Sequence, residues 1–520
     1  MEEINHPPNI YTVLDCLIPF INDRKTFSLV CRKSYDADCT TRKHVTVLTR
    51  YATSLSRLCQ RFPFLQSLTL DGARYLDYNV INFVTPWVQQ ITTCLYLLNS
   101  IYFKDLSLKD SDLELLAQTR GKQLQIIEIF SCKGFSTLGL FHVGKYCNSL
   151  RDLCVVNNEI DESGEKWLRK LGSGNSGIEK LTIHGVKYDM EDLVFVAKNC
   201  GRHLVSVNVE EKYDFVDLVG FFGYAVNVVE FGGGVFSDDH QDEYNSFKFP
   251  DSLKRLSVKI TSNHDVKLVV PFAHLLAELD CRNSYLDGAE VCELIKRSRN
   301  LKVLHTTNAI GDQGLRDISI YCKNLCKLFV NPNSVKGGEV SHDALIHIAE
   351  QCVELECLHV HVDSMTDEVM RYIGKNMRKL KDFSMFVSTK SLLLDDGVRS
   401  LLICCDKLEK LDIHFGCDGG LTDKGLGFIG KYGCNLRYLS LGNVGVSSAG
   451  LVELSKGCPK IEYFLVTKLS RFKGLDIFSS NVCIPQPCGK VIVMSKKFGM
   501  SQLVDFSEIN DHLLCWKNSG

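Results

Sequence analysis

Along most of the chain the apolar positions fall into one short unit, L-x-x-L-x-L, separated by mixed polar stretches. Copies stand at Leu65/Leu68/Leu70, Leu150/Leu153/Val155, Ile178/Leu181/Ile183, Leu204/Val207/Val209 and Leu253/Leu256/Val258. They continue at Leu276/Leu279/Cys281, Leu301/Leu304/Thr306, Leu325/Leu328/Val330, Leu355/Leu358/Val360 and Leu380/Phe383/Met385. The last clear copies are Leu408/Leu411/Ile413, Leu436/Leu439/Leu441 and Ile461/Phe464/Val466. Each unit predicts a short strand whose alternate residues point in and out. A loop and an amphipathic helix follow, as in Gly425 to Gly433, where Leu426, Phe428 and Ile429 precede Tyr432.

The units recur every 24 to 30 residues or so, the period of a leucine-rich repeat. One such unit cannot bury its apolar face alone, so the copies are expected to stack into a curved solenoid with a continuous core. A cysteine sits three residues before the leading apolar position at Cys147, Cys322, Cys352, Cys405 and Cys458. That placement reads as packing rather than catalysis or metal binding. Two stretches break the pattern. Residues 9–46 predict a compact helical unit, with Val13, Leu14, Leu17, Ile18 and Ile21 at helical spacing and a second helix through Phe27, Leu29, Val30 and Cys31. Residues 47–476 hold the repeats, and residues 477–520, with Pro485 and Pro487, read as an irregular tail. The expectation is therefore an exposed strand edge after Val466.

Composition narrows the class. Of 520 residues, 45% are hydrophobic and 23% charged, and the formal net charge is -2. This is a globular balance with no global basic field, so neither an anionic membrane nor direct nucleic-acid binding is expected. The apolar run Leu268 to Leu279 contains His274 and Glu278 and is too short to span a bilayer. Glu2 and Glu3 with no apolar segment after them argue against a secretory signal, so an intracellular protein is expected. In that setting the 23 cysteines are expected to be reduced and buried, and no CxxC pair suggests a zinc knuckle.

Specific segments carry a family resemblance. SLVCRK (Ser28 to Lys33), TRKHVT (Thr41 to Thr46), VTPWV (Val84 to Val88) and VGFF (Val219 to Phe222) lie in the first half. NAIGDQGL (Asn308 to Leu315), DDGVRSLL (Asp395 to Leu402) and GGLTDKGL (Gly419 to Leu426) follow in the second. In this order, over residues 10–470 or so, the chain resembles the coronatine-insensitive F-box proteins, the plant jasmonate-receptor family. The resemblance implies an α/β fold, an N-terminal helical F-box followed by a leucine-rich-repeat solenoid (horseshoe). It also implies a job: substrate recognition in an SCF-type cullin-RING E3 ubiquitin ligase, in the nucleus and cytoplasm. Such a chain is not an enzyme. Its F-box docks a Skp-type adaptor and, through it, a cullin, while the repeats hold a repressor-type protein.

The adaptor-binding set on this reading is Leu14, Leu17, Ile18, Leu29 and Val30, although Ser34 and Tyr35 stand where the family usually carries a Trp. A jasmonate conjugate gripped by arginines is the family's ligand, with an inositol phosphate as a structural cofactor and no covalent one. Here Arg74 matches one pocket arginine, while Thr307 and Ser384 fall at two others, and Thr467 replaces a cation that meets the repressor. His361 and His414 fall at pocket tyrosines, and Tyr78 at a loop aromatic.

The strand residues between core positions give the same picture independently. They are His305 and Thr307, Phe329 and Asn331, His359 and His361, Ser384 and Phe386, Asp412 and His414, and Ser440, with no Arg or Lys among them. A carboxylate bound there would lack charge-assisted hydrogen bonds worth roughly 1.5–3 kcal/mol each. Orthodox jasmonate perception is thus not expected. The pairs His359/His361 and Asp412/His414 lie two strands, about 10 Å, apart, too far to share one ion, so no metal is expected from them. Asp238, Asp239, Asp242 and Glu243 lack calcium-ligand spacing. Gly232-Gly233-Gly234 lacks the Gly-Lys-Ser/Thr of a phosphate loop. The competing readings are a ligase-independent binding solenoid and a decaying receptor duplicate.

Overall fold

A computed structural model describes residues 24, 27–49, 55–72, 84–237, 247–260, 262–282, 288–332, 340–388, 393–416, 419–461, 463–467 and 490–493. The chain divides into two compact units, residues 1–233 and 234–520. In the first, the helix Arg32–Thr41 precedes strands His44–Leu48, Ser67–Asp71, Ser100–Lys104, Ile126–Phe130, Asp152–Val156, Lys180–Ile183 and Ser206–Val209. Each pairs in parallel with the next, and the start of Glu230–Phe236 pairs with the last. In the second unit a parallel ladder runs from Arg255–Lys259 through Glu278–Asp280, Val303–Thr307, Lys327–Asn331, Cys357–Val362, Asp382–Val387, Lys410–Phe415 and Tyr438–Gly442 to Tyr463–Thr467.

Parallel neighbours need a crossover between them, and a helix in the intervening segment supplies it in most repeats. The register follows the sequence unit: Leu304, Leu328, Leu358, Phe383, Leu411, Leu439 and Phe464 align across the ladder and are buried. The leucine-rich-repeat architecture expected from the sequence is therefore the one observed.

Two polar ladders tie repeat to repeat. An aspartate in or beside the first turn of one helix accepts hydrogen bonds from the N-terminus of the next. Asp110 accepts from Ser136 N and Oγ, Asp395 from Thr422 N and Oγ1, and Asp423 from Ser447 N and Oγ, at 2.6 to 2.9 Å. Ser136, Thr422 and Ser447 are the N-caps of their own helices. The other ladder explains the periodic cysteines. Near each helix end a thiol donates to carbonyls at the end of the preceding helix: Cys322 to Ser298 O, Cys405 to Met377 O and Cys458 to Ile429 O, at 3.4 to 3.6 Å. Each of those carbonyls also accepts a backbone N–H, from Leu301, Leu380 and Gly433 respectively, so the thiol adds a second bond to an occupied acceptor. Burial pushes the thiols of Cys322, Cys405 and Cys458 up to about 12, so they stay protonated and can donate.

Two cysteine expectations need correction. Cys59 and Cys94 are bonded to one another, with their Cα atoms 6.0 Å apart. Helices Ser56–Arg61 and Thr85–Cys94 flank one strand and bring the pair within bridging range. Cys31 and Cys434 are exposed rather than buried. A third correction concerns the far end: the strand edge expected to be open after Val466 is paired. Lys490–Val493 adds in parallel to Tyr463–Thr467, with Tyr463 opposite Lys490 and Val466 opposite Val493. The segment KVIV is rich in β-branched residues, which suit a strand.

Candidate functional site

The F-box edge begins with what holds it. Asp38, fully buried on Arg32–Thr41, receives Arg24 Nε at 2.8 Å and Arg42 Nη2 at 2.9 Å, with Arg61 Nη2 3.6 Å away. Tyr35, near the family's Trp position, lies under the Arg61 guanidinium, 4.5 Å from ring centroid to Cζ. Ser34 is buried and its N–H donates to Cys31 Sγ. The altered residues therefore have local partners. Just before this helix the chain turns, and Leu29 and Val30 are 80% and 70% exposed. Leu14, Leu17 and Ile18 lie outside the described residues.

The second candidate is the strand face of the second unit that points away from the core. Four predicted ligand residues share it: Thr307, His361, Ser384 and His414. His361, Phe386 and His414 are direct cross-strand neighbours, forming one row. The His361 ring stacks on Phe386 with centroids 4.8 Å apart, and its Nε2 shares a 2.8 Å hydrogen bond with Ser388 Oγ. His414 Nε2 bonds Ser440 Oγ at 2.9 Å and lies equally close to Asp412 Oδ1. Ser384 Oγ donates to Asp412 Oδ2 at 3.2 Å. Thr307 closes its strand, only 8% exposed, and four residues on Gly311 takes a φ of 56° that favours glycine. Arg74 and Tyr78 lie outside the described residues, as does the side chain of Thr467.

The row beside it is aromatic and acidic. His305 stacks on Phe329 at 4.1 Å, and Phe329 meets His359 edge to face at 4.7 Å. His359 Nε2 bonds Asp382 Oδ1 at 2.9 Å, and Lys410 Nζ reaches Asp382 Oδ2 at 3.4 Å. Burial holds His305 and His361 below the ordinary imidazole value. Burial pushes Asp382 and Asp412 up, but the neighbouring histidines and Lys410 outweigh it and leave both below the usual carboxylate range.

The face thus carries charged carboxylates and weakly basic imidazoles where a carboxylate ligand would need cations. Nearby cations are closed on acids: Arg282 forks onto Asp280, Lys381 bonds Glu356 and Lys410 reaches Asp382. What the alternation did not reveal is the trio Cys357, His359 and Asp382, whose ligand atoms lie within 4.8 Å of one another. Cys357 is two residues before His359 on the same face, and Asp382 is its cross-strand partner. The first of these was legible in the sequence; the second needed the register.

The F-box family profile matches residues 9–44, ahead of the repeats. Together the matched module and the ladder define an F-box leucine-rich-repeat protein, a class in which the F-box binds a Skp-type adaptor. Coronatine-insensitive protein 1 of Arabidopsis thaliana is 37% identical over 462 residues, covering 85% of this chain and 78% of that protein. Coronatine-insensitive protein homolog 1b of Oryza sativa subsp. japonica is 35% identical over 459 residues, covering 84% and 76%. The chain belongs to the coronatine-insensitive family. An internalin from Listeria monocytogenes overlaps 79% of this chain and 98% of its own at 16% identity and a TM-score of 0.34, too low to carry an argument.

Proposed function

We propose that this chain is the substrate-recognition subunit of an SCF-type cullin-RING E3 ubiquitin ligase. It docks a Skp-type adaptor, and through it a cullin, by the F-box edge and presents a repressor-type protein on the repeats, in the nucleus and cytoplasm. It makes and breaks no bond; it raises the local concentration of substrate at the ligase. The observation that carries the reading is the bare pair Leu29 and Val30, 80% and 70% exposed, on a helical module whose altered positions are internally satisfied. Burying such side chains against a partner is worth roughly 1.5–3 kcal/mol each.

On this reading the protein substrate, rather than a jasmonate conjugate, is the main occupant of the repeats. Thr307, Ser384, His361 and His414 offer hydrogen bonds and ring faces but no cation, and Asp412 adds a negative charge beside them. The test is co-expression with a Skp-type adaptor and affinity purification. The wild-type chain is expected to retain the adaptor and a cullin, and Leu17→Asp with Val30→Asp to lose both while the repeats stay folded. Recovery of a specific third protein without adaptor or cullin would favour a ligase-independent binding solenoid instead.

A further inference from the structure

The trio noted above lies on the open strand face of the second unit. Cys357 and Asp382 are paired across adjacent parallel strands, and His359 stands two residues beyond Cys357 on the same face. All three can turn a ligand atom, Sγ, an imidazole nitrogen or a carboxylate oxygen, toward one point, and these atoms lie within 4.8 Å of one another. Thiolate, imidazole and carboxylate are the donors of a zinc site, and three protein ligands leave a fourth position open.

We propose that Cys357, His359 and Asp382 form a three-ligand site for a divalent zinc-type cation, its open position facing the surface that presents the protein substrate. The site itself stands on the trio alone; only the role of the open position rests on the proposed function.

The geometry asks for small movements. Tetrahedral ligands at about 2.0–2.3 Å from zinc stand about 3.3–3.8 Å apart. His359 Nε2 and Asp382 Oδ1, now 2.9 Å apart, need to open by a few tenths of an ångström. Cys357 Sγ needs to close by about 1.5 Å at most, within reach of a side-chain rotation. On binding, the thiol releases its proton to solvent as the sulfur–metal bond forms, the proton on His359 Nε2 moves through solvent to Nδ1, and the 2.9 Å His359–Asp382 contact is replaced by two metal bonds.

The surroundings resemble an outer shell. Phe329 meets the His359 ring edge to face and limits its rotation. Lys410 holds Asp382 Oδ2 at 3.4 Å, leaving Oδ1 for the metal. Such supporting contacts orient ligands and are worth about 10–100-fold in metal affinity. The lysine charge also opposes a dication, so the affinity expected is moderate. This set differs from the His359/His361 and Asp412/His414 pairs, which lie two strands apart, because Asp382 is on the strand adjacent to Cys357 and His359.

The test uses the full chain, treated with chelator and titrated with Co2+ as a spectroscopic stand-in for zinc. One equivalent is expected to give a thiolate-to-cobalt charge-transfer band in the near ultraviolet, which Zn2+ then abolishes by displacement. Cys357→Ser is expected to remove the band, and His359→Gln and Asp382→Asn to weaken binding at least tenfold or so. Cys404→Ser, outside the trio, is expected to leave it unchanged. No band in the wild type, or a band that survives Cys357→Ser, overturns the proposal. Circular dichroism checks folding of each variant, and if Cys357→Ser does not fold, unchanged binding in His359→Gln overturns it equally.

Discussion

The F-box edge and the open strand face of the second unit have diverged in different ways. At the edge the family's Trp position has changed, yet the replacements Ser34 and Tyr35 found partners in Cys31 and Arg61, and the apolar pair Leu29/Val30 remains bare. On the strand face Ser384, His414 and His361 bond polar neighbours on the following strand or loop: Ser384 with Asp412, His414 with Ser440, His361 with Ser388. The first pattern leaves an apolar pair exposed. The second is a self-satisfied polar and aromatic strip. Neither set of contacts involves the repeat leucines.

The sharpest way to break the edge is through its buried charge. Asp38→Ala strands Arg24 and Arg42 without their carboxylate, and losing one partner of a buried pair costs about 3–5 kcal/mol. Denaturant unfolding is expected to show a separate early transition for the first unit in that variant. A smaller loss is expected from the repeat ladder. Asp395→Ala leaves the Thr422 N–H and hydroxyl without their acceptor, a cost of about 1–3 kcal/mol, read as a lower thermal midpoint with adaptor binding unchanged.

The strand face is sharpened by trying to restore the ligand. Calorimetry of the wild type with a conjugated jasmonate and a repressor peptide is expected to show no tight binding. Thr307→Arg with Ser384→Arg is expected to recover little, because Asp412 sits beside position 384 and would pair with the new guanidinium. Adding Asp412→Asn should raise the recovered affinity by roughly tenfold, one charge-assisted interaction's worth. Tight binding by the wild type would show that neutral Thr307 and Ser384 suffice.

The smallest effect is in acid. His305 and His361 have imidazole values lowered from 6.5 by burial, so the folded chain binds fewer protons there than the unfolded one. Their contribution is present above the unfolded value and is lost as pH falls below it toward the folded value. Asp382 and Asp412 act with the same sign at lower pH, because their folded values are depressed. The thermal midpoint should therefore fall modestly between about pH 7 and pH 5.5, and less so in His305→Phe, which keeps the stack on Phe329. An unchanged slope in that variant would move the effect elsewhere.

Much of this was legible residue by residue. The spacing Leu355/Leu358/Val360 already marks a strand with two inward side chains, because pleat geometry is local. Cys322 and Cys405 were readable as buried packing residues from position alone; that their thiols reach the preceding helix was not. The exposure of Leu29 and Val30 followed from the docking reading, whereas the Asp38 cluster had no periodic signature. The tail strand Lys490–Val493 escaped because a lone KVIV lacks the repeat frame around it.

The sequence by itself determined the repeat, its period, the alternation that puts Phe329, His359 and Asp412 on one face, and the family to which the chain belongs. Tertiary structure alone decided which of those residues meet: Cys357 with Asp382, Ser384 with Asp412, Cys59 with Cys94, and three arginines around Asp38. The physical reason is that side-chain direction along a strand depends on its own backbone, whereas a cross-strand partner depends on register. Register is set by stacking the buried leucines of successive repeats, whose connecting lengths differ, so the partner of any surface residue exists only once the core has packed.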